Sequence, residues 1–180
     1  MMNLRGELLP RPVGAEELEE IERSVGEIEE LLESGKEAEA AAAIEVFNAR
    51  HARAYGEDDF RSRAGSMSRI EFALGAAQPR ARRIADIARE ELIEIVRRIQ
   101  EPDRALDDQE WIVEGGQTNR LSDAAESGDR LAAVQSFYLE LLEAQVDMPD
   151  VSDLIFWDDL EPEEIVDRAL AYRPIVLPPG

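Results

Sequence analysis

The chain has 180 residues, enough for one domain of moderate size or a small domain with an extension. Apolar residues reach 44%, so a core is available, while 41 Asp and Glu against 20 Lys and Arg leave a formal charge of −21. That charge argues against binding to nucleic-acid phosphates or anionic lipid, and it suits a basic protein partner.

Residues 1–13 show no periodicity and carry two prolines, which reads as a loose leader. From Ala15 the pattern turns helical: Leu18, Ile21, Val25, Ile28 and Leu31/Leu32 recur at three- and four-residue steps, and Ser34-Gly35 supplies a stop. A second helix is expected from about Glu37 to Tyr55, with Ile44 and Phe47 on its apolar side. Asp58 or Asp59 caps a short segment around Phe60, and Ser68 caps another holding Ile70, Phe72 and Leu74. Residues 88–99 give the clearest helix, with Leu92, Ile95, Val96 and Ile99 on one stripe and Arg and Glu opposite. Residues 103–126 read as a long polar loop with a helical turn near Trp111 and a turn at Gly115-Gly116. Helices follow over about Asp129 to Gln145, over the six residues Ser152 to Trp157, and from Pro162 to a stop before Pro174, with Ile165, Val166, Ala169 and Leu170 as its apolar set. No segment alternates over a strand length, so the expected class is all-α, an antiparallel helical bundle with a short third helix preceded by an N-terminal helical extension.

Charge is uneven: residues 101–180 hold 20 acidic and 5 basic side chains, which points to that half for an interaction surface. Within it lies Pro149-Asp150-Val151-Ser152-Asp153-Leu154-Ile155-Phe156-Trp157. At about 100° per residue, Asp153, Phe156 and Trp157 share one arc of a helix while Leu154 and Ile155 fall opposite. A short helix can therefore bury the two aliphatics and present a carboxylate between two aromatics, which is what an interface anchor looks like. In the other reading, Phe156 and Trp157 are core and Asp153 only a cap.

This string resembles the immunity proteins of DNase-type colicins and pyocins, where a Pro precedes Ser-Asp-Leu-Ile, two aromatics and a second Pro follow, and the fourth helix carries Ile-Val, here Ile165-Val166. Residues 88–99 are similar to the family's first helix and 131–145 to its second, so that the likeness spans about 88–100 and 129–177. Asp158 stands where the family has its second Pro, the connection between the first two helices is longer by about two dozen residues than the family's (a comparison of lengths), and residues 1–80 have no counterpart. The resemblance implies two parts, 1–80 as an extension and 81–180 as a four-helix domain with the loop at 103–126. It implies a non-enzyme that binds the basic HNH nuclease domain of a bacteriocin beside its active site. The implied anchor is Asp153, Phe156 and Trp157 with Asp150 and Ser152 beside it. The implied specificity positions, counted back without gaps, are Gln135, Ser136, Leu139, Glu140 and Glu143. The alternative from the residues alone is an acidic DNA-mimic inhibitor or antitoxin acting on another basic protein.

Other features point to no separate chemistry. Zero Cys removes disulfides, thiolate metal sites and cysteine nucleophiles, and a single His51 has no evident nucleophile or orienting partner, so it reads as a surface helix residue. No metal or cofactor is expected; Asp147, Asp150 and Asp153 lack the EF-hand spacing. Arg80, Arg82 and Arg83 read as an ion-paired helix start with Asp86, Glu90 and Glu91. With no apolar run of about 20 residues and no signal-peptide core, the expected location is the cytoplasm, and the acidic surface argues for a monomer.

Overall fold

Leu18, Ile21, Val25, Ile28 and Leu32 are all buried, and their spacing is why Ala15–Glu33 forms a helix, α1. The structure is a computed structural model that describes residues 4–103, 110–114, 117–120 and 128–173. It is helical, in agreement with the expected class, and its contacts divide it into two units, Pro10–Arg80 with Leu106–Ala133, and Met1–Leu9 with Ala81–Ala105 and Val134–Gly180.

In the unit that holds α1, the helix turns at Gly35, whose φ of 70° suits a residue without Cβ, into α2, Glu37–His51. Two shorter helices follow, α3 over Glu57–Ser66 and α4 over Arg69–Ala77. Their starts are fixed by side chains: Asp59 accepts the Gly56 N–H at 2.7 Å, and Ser68 Oγ accepts the Glu71 N–H at 3.0 Å, so Asp59 and Ser68 serve as the sequence predicts. Phe47, Tyr55, Phe60 and Phe72 form one aromatic cluster, with Phe60 edge-on to Phe47 at 5.7 Å between centroids. Glu29, although charged, is buried on α1 and is held by Arg63 and by Arg69 at 3.0 Å.

α2 ends four residues before Tyr55. Ala52 turns left-handed, Arg53 donates to the carbonyls of Gly75 and Gln78, and the Asn48 amide bonds both backbone groups of Tyr55. Tertiary bonds to the returning chain thus replace another helical turn.

The segment expected as a loop contributes β2, Glu110–Glu114, and β3, Gln117–Arg120, so Trp111 lies in a strand and not in a helical turn. They pair antiparallel, and β2 also pairs in parallel with β1, Val13–Gly14, to give a three-stranded sheet of order β1-β2-β3. Gln78, 2% exposed, fixes the lead into β1 by accepting the Arg11 N–H at 2.8 Å and donating to the Arg11 carbonyl at 3.1 Å. Gly115-Gly116 lies outside the described residues.

The second unit contains α5 over Arg89–Gln100, α6 over Gly128–Gln145 (in this unit from Val134 on), α7 over Val151–Phe156 and α8 over Pro162–Ala171. Its core joins Leu92, Ile95, Val96 and Ile99 of α5 to Val134, Tyr138 and Leu142 of α6 and Ile165 and Val166 of α8. Leu170 leaves the predicted stripe of α8 and is 43% exposed, since Ile165, Val166 and Ala169 already fill the buried arc.

Two expectations change here. The leader is not loose: Leu4 and Leu8 are buried, Gly6–Leu8 forms a 3-10 turn, and Arg5 binds Asp86 at 3.0 Å and Glu91 at 3.0 Å. On the polar side of α5, Arg89 and Glu90 are exposed, but Glu91, Glu94 and Arg98 are buried, each charge answered by a partner. The predicted ion-paired start around Arg80, Arg82 and Arg83 is also redistributed. Asp86 and Glu91 go to Arg5, while Arg83 reaches Asp147 at 2.6 Å.

The division also departs from a single cut at residue 80. Parallel pairing with β1 puts 106–133 with the earlier helices, and the Arg5 contacts put 1–9 with α5.

Candidate protein-binding site

The short helix α7 begins after Pro149 with Asp150 in the left-handed region, φ 54°, a conformation that Asp tolerates better than most residues. The Asp153 N–H donates to the Asp150 carbonyl and the Trp157 N–H to the Asp153 carbonyl, each at 2.9 Å, so the helix is little more than one closed turn. Val151, Leu154 and Ile155 are buried, whereas Asp153 is exposed, Phe156 is 48% exposed and Trp157 82%. Ser152 is half-buried and Asp150 exposed. The three aliphatics hold the helix down, and the two aromatics stand in solvent beside one carboxylate. Burying an aromatic the size of Phe recovers about 1.5–3 kcal/mol, a gain that the isolated chain leaves unused at this helix.

The connection after α7 is held by two contacts. Asp158 pairs with Arg168 of α8 at 3.6 Å, and Gln100 Nε2 donates to the Leu160 carbonyl at 3.1 Å. Pro162 then opens α8 at a first-turn position, with Glu163 and Glu164 behind it near the helix's positive end.

On α6 the structure separates the five counted positions. Ser136 and Glu143 are exposed and Leu139 half-buried, on one face at helical spacing. Gln135 is half-buried and donates to the Ile99 carbonyl at 2.7 Å, while Glu140 accepts the Ala81 N–H at 3.2 Å, so both are engaged within the fold. Partial burial holds the Glu143 carboxyl above its ordinary range, and the charges of Glu140 and then Asp150 push it the same way. That mutual repulsion links the acidic face of α6 to the start of α7.

Residues 81–84, read from the sequence only as part of an ion-paired helix start, bond instead to Glu140 and Gln145 of α6. The nearest signal is Gln145, a polar residue that the helical pattern of α6 places inside, 4% exposed.

The single imidazole offers no such focus. His51 is half-buried, not a free surface residue, with its ring 4.6 Å from that of Phe47, and burial lowers its pKa, helped by the charge of Arg50. Among the described residues, no group of three Asp, Glu or His side chains is placed to hold a metal ion, and no helix is long and apolar enough to cross a membrane.

Searches against protein-family models, curated proteins and solved structures return no match to this chain.

Proposed function

We propose that this protein is a stoichiometric inhibitor, an immunity protein that binds a basic HNH-type bacteriocin nuclease beside its active site and keeps it from DNA. The observation that carries the reading is the 82% exposure of Trp157, beside Phe156 and Asp153, at the end of a helix whose aliphatic residues Val151, Leu154 and Ile155 are buried. An apolar pair left in water around one charge is the anatomy of an interface hot spot, and the surrounding carboxylates would steer a basic partner to it. In this reading the protein has no catalytic role. Asp153, Phe156 and Trp157 supply the anchor, Ser136, Leu139 and Glu143 sit on the face that discriminates, and Asp150 and Ser152 border the anchor. Gln135 and Glu140 act as supports, because their polar groups already bond within the fold.

The test is calorimetric titration of the full chain against several catalytically inactivated HNH nuclease domains of bacteriocins, at low and moderate salt. One-to-one binding that weakens at least a hundredfold, about 2.7 kcal/mol, in Trp157→Ala supports the reading. Silence across the panel, or affinities indifferent to both Trp157→Ala and Asp153→Ala, overturns it. In that case an acidic DNA mimic, dependent on distributed charge and not on the aromatic pair, becomes the better account.

A further inference from the structure

The unit that holds α1 to α4 contains a cleft of about 230 Å³ between α3 and α4. Its apolar wall is aromatic, made by Tyr55 and Phe72, whose ring centroids lie 4.8 Å apart. Its polar wall comes from α3, through Asp59, Ser62, Arg63 and Ser66 at helical spacing. Arg63 decides what the cleft can take. It is 8% exposed, donates through one amino group to the Met67 carbonyl at 3.2 Å and pairs through the other with Glu29. Its Nε–H is buried and has no hydrogen-bond partner among the described residues. A buried donor left unpaired is costly, so an acceptor brought into the cleft meets a need that the chain leaves open. The two hydroxyls offer the opposite function. Ser62 Oγ donates to the Asp59 carbonyl at 3.4 Å and Ser66 Oγ to the Ser62 carbonyl at 3.0 Å, so both protons are engaged and the oxygen lone pairs remain to accept. No surplus positive charge is left at the cleft, because Arg63 and Arg69 share Glu29 and Asp59 adds a second carboxylate.

We propose that this cleft is a small-molecule site for an uncharged planar aromatic that carries a hydrogen-bond acceptor and donor side by side, the chemistry shared by pyridine carboxamides and nucleobases. The ring lies against Tyr55 and Phe72, its acceptor takes the Arg63 Nε–H, and its donor meets the hydroxyl oxygen of Ser62 or Ser66. The volume falls below the roughly 300–1,000 Å³ of sites for drug-sized ligands, which restricts the occupant to one or two rings. An anion is opposed by Asp59 and by the chain's formal charge of −21, and a purely apolar ring leaves Arg63 unmatched.

Two-dimensional amide NMR of the full chain, titrated separately with nicotinamide and with cytosine, tests the site and distinguishes the two sources. Benzoate and toluene serve as the anionic and the apolar control. The expected result is that nicotinamide or cytosine shifts the signals of Ser62, Ser66, Met67 and Gly75 and binds at least about tenfold more tightly than either control. Arg63→Lys keeps a cation for Glu29 but removes the Nε–H, and should weaken that binding about tenfold. Ser66 is exposed, so Ser66→Phe leaves the core intact, places a ring where the ligand would lie and should abolish the shifts. Silence of these residues toward both nicotinamide and cytosine overturns the proposal. So does a control that binds equally well, an affinity unchanged in Arg63→Lys, or shifts that persist in Ser66→Phe. The titrations need no nuclease, so their failure leaves the reading of Trp157 standing.

Discussion

Arg98 of α5 donates to the phenolic oxygen of Tyr138 on α6 at 2.8 Å, while the same guanidinium is paired with Glu94 one turn earlier at 3.2 Å. All three residues are at least nine-tenths buried. The pair therefore sits where charge is costly to leave alone, and it holds the helix that carries Ser136 and Leu139 against α5. Arg98→Met should destabilise the chain by about 3–5 kcal/mol, because it strands the Glu94 carboxylate and removes the donor to Tyr138. Adding Glu94→Leu should recover most of that loss. Urea denaturation of the two variants checks both statements, and equal stability of the single and double variants would show that Glu94 is not stranded.

Leu154 of α7 and Trp157 at its C-terminal end should respond in opposite ways. Leu154→Ala opens a cavity beneath the helix and should cost about 2–4 kcal/mol of stability. Trp157→Ala removes a side chain already in solvent, so stability should stay within about 0.5 kcal/mol while partner binding is lost. Thermal melts beside titrations separate the two effects; a large melting shift in Trp157→Ala would mean that the ring supports the fold.

Glu143 gives a pH signature. Its carboxyl is held above the ordinary value, first by burial and then by Glu140 and Asp150, so its contribution to stability is full below the ordinary glutamate range and is lost as pH rises through the raised value. Glu143→Gln should therefore be more stable than the unaltered chain at pH 7, with the gap closing in acid. Asp86 and Asp147 run the other way: bonds from Arg5 and Arg83 lower them, and their contributions fade as pH falls through the lowered values. Denaturation midpoints across the acid range test the sign, and a gap that widens in acid would contradict the assignment.

Asp150 occupies a left-handed backbone position at the start of α7. Asp150→Gly relieves the Cβ crowding there and should raise stability by about 0.5–1 kcal/mol while removing one carboxylate from the acidic group. A more stable variant that binds a basic partner more weakly is the expected outcome. Lower stability would show that the Asp150 side chain contributes more than its backbone conformation costs.

What the sequence reveals depends on how far each residue's partner lies along the chain. The stripe of α1, the Ser68 cap and the split of α7 into buried Leu154 and Ile155 against outward Phe156 and Trp157 are all decided within one or two turns, so spacing alone exposes them. The fates of Gln135 and Glu140 are decided by groups 36 and 59 residues away, and helical counting cannot distinguish these residues from Ser136 or Glu143. The same applies to Arg98, which looks like a solvated helix residue until Tyr138, forty residues on, meets it inside. β2 stayed hidden because its parallel partner is the two-residue β1 near the other end of the chain, too short to alternate.

The unit that holds α7 is drawn from three stretches, Met1–Leu9, Ala81–Ala105 and Val134–Gly180. During synthesis Leu4 and Leu8 emerge long before α5, and α5 emerges long before α8. The first 80 residues contain α1 to α4 of the other unit, so those helices can pack early, at the short loop-closure distances that favour fast folding. The surface bearing Trp157 takes shape only once α5 and α8 have both emerged, later than the packing of α1 to α4.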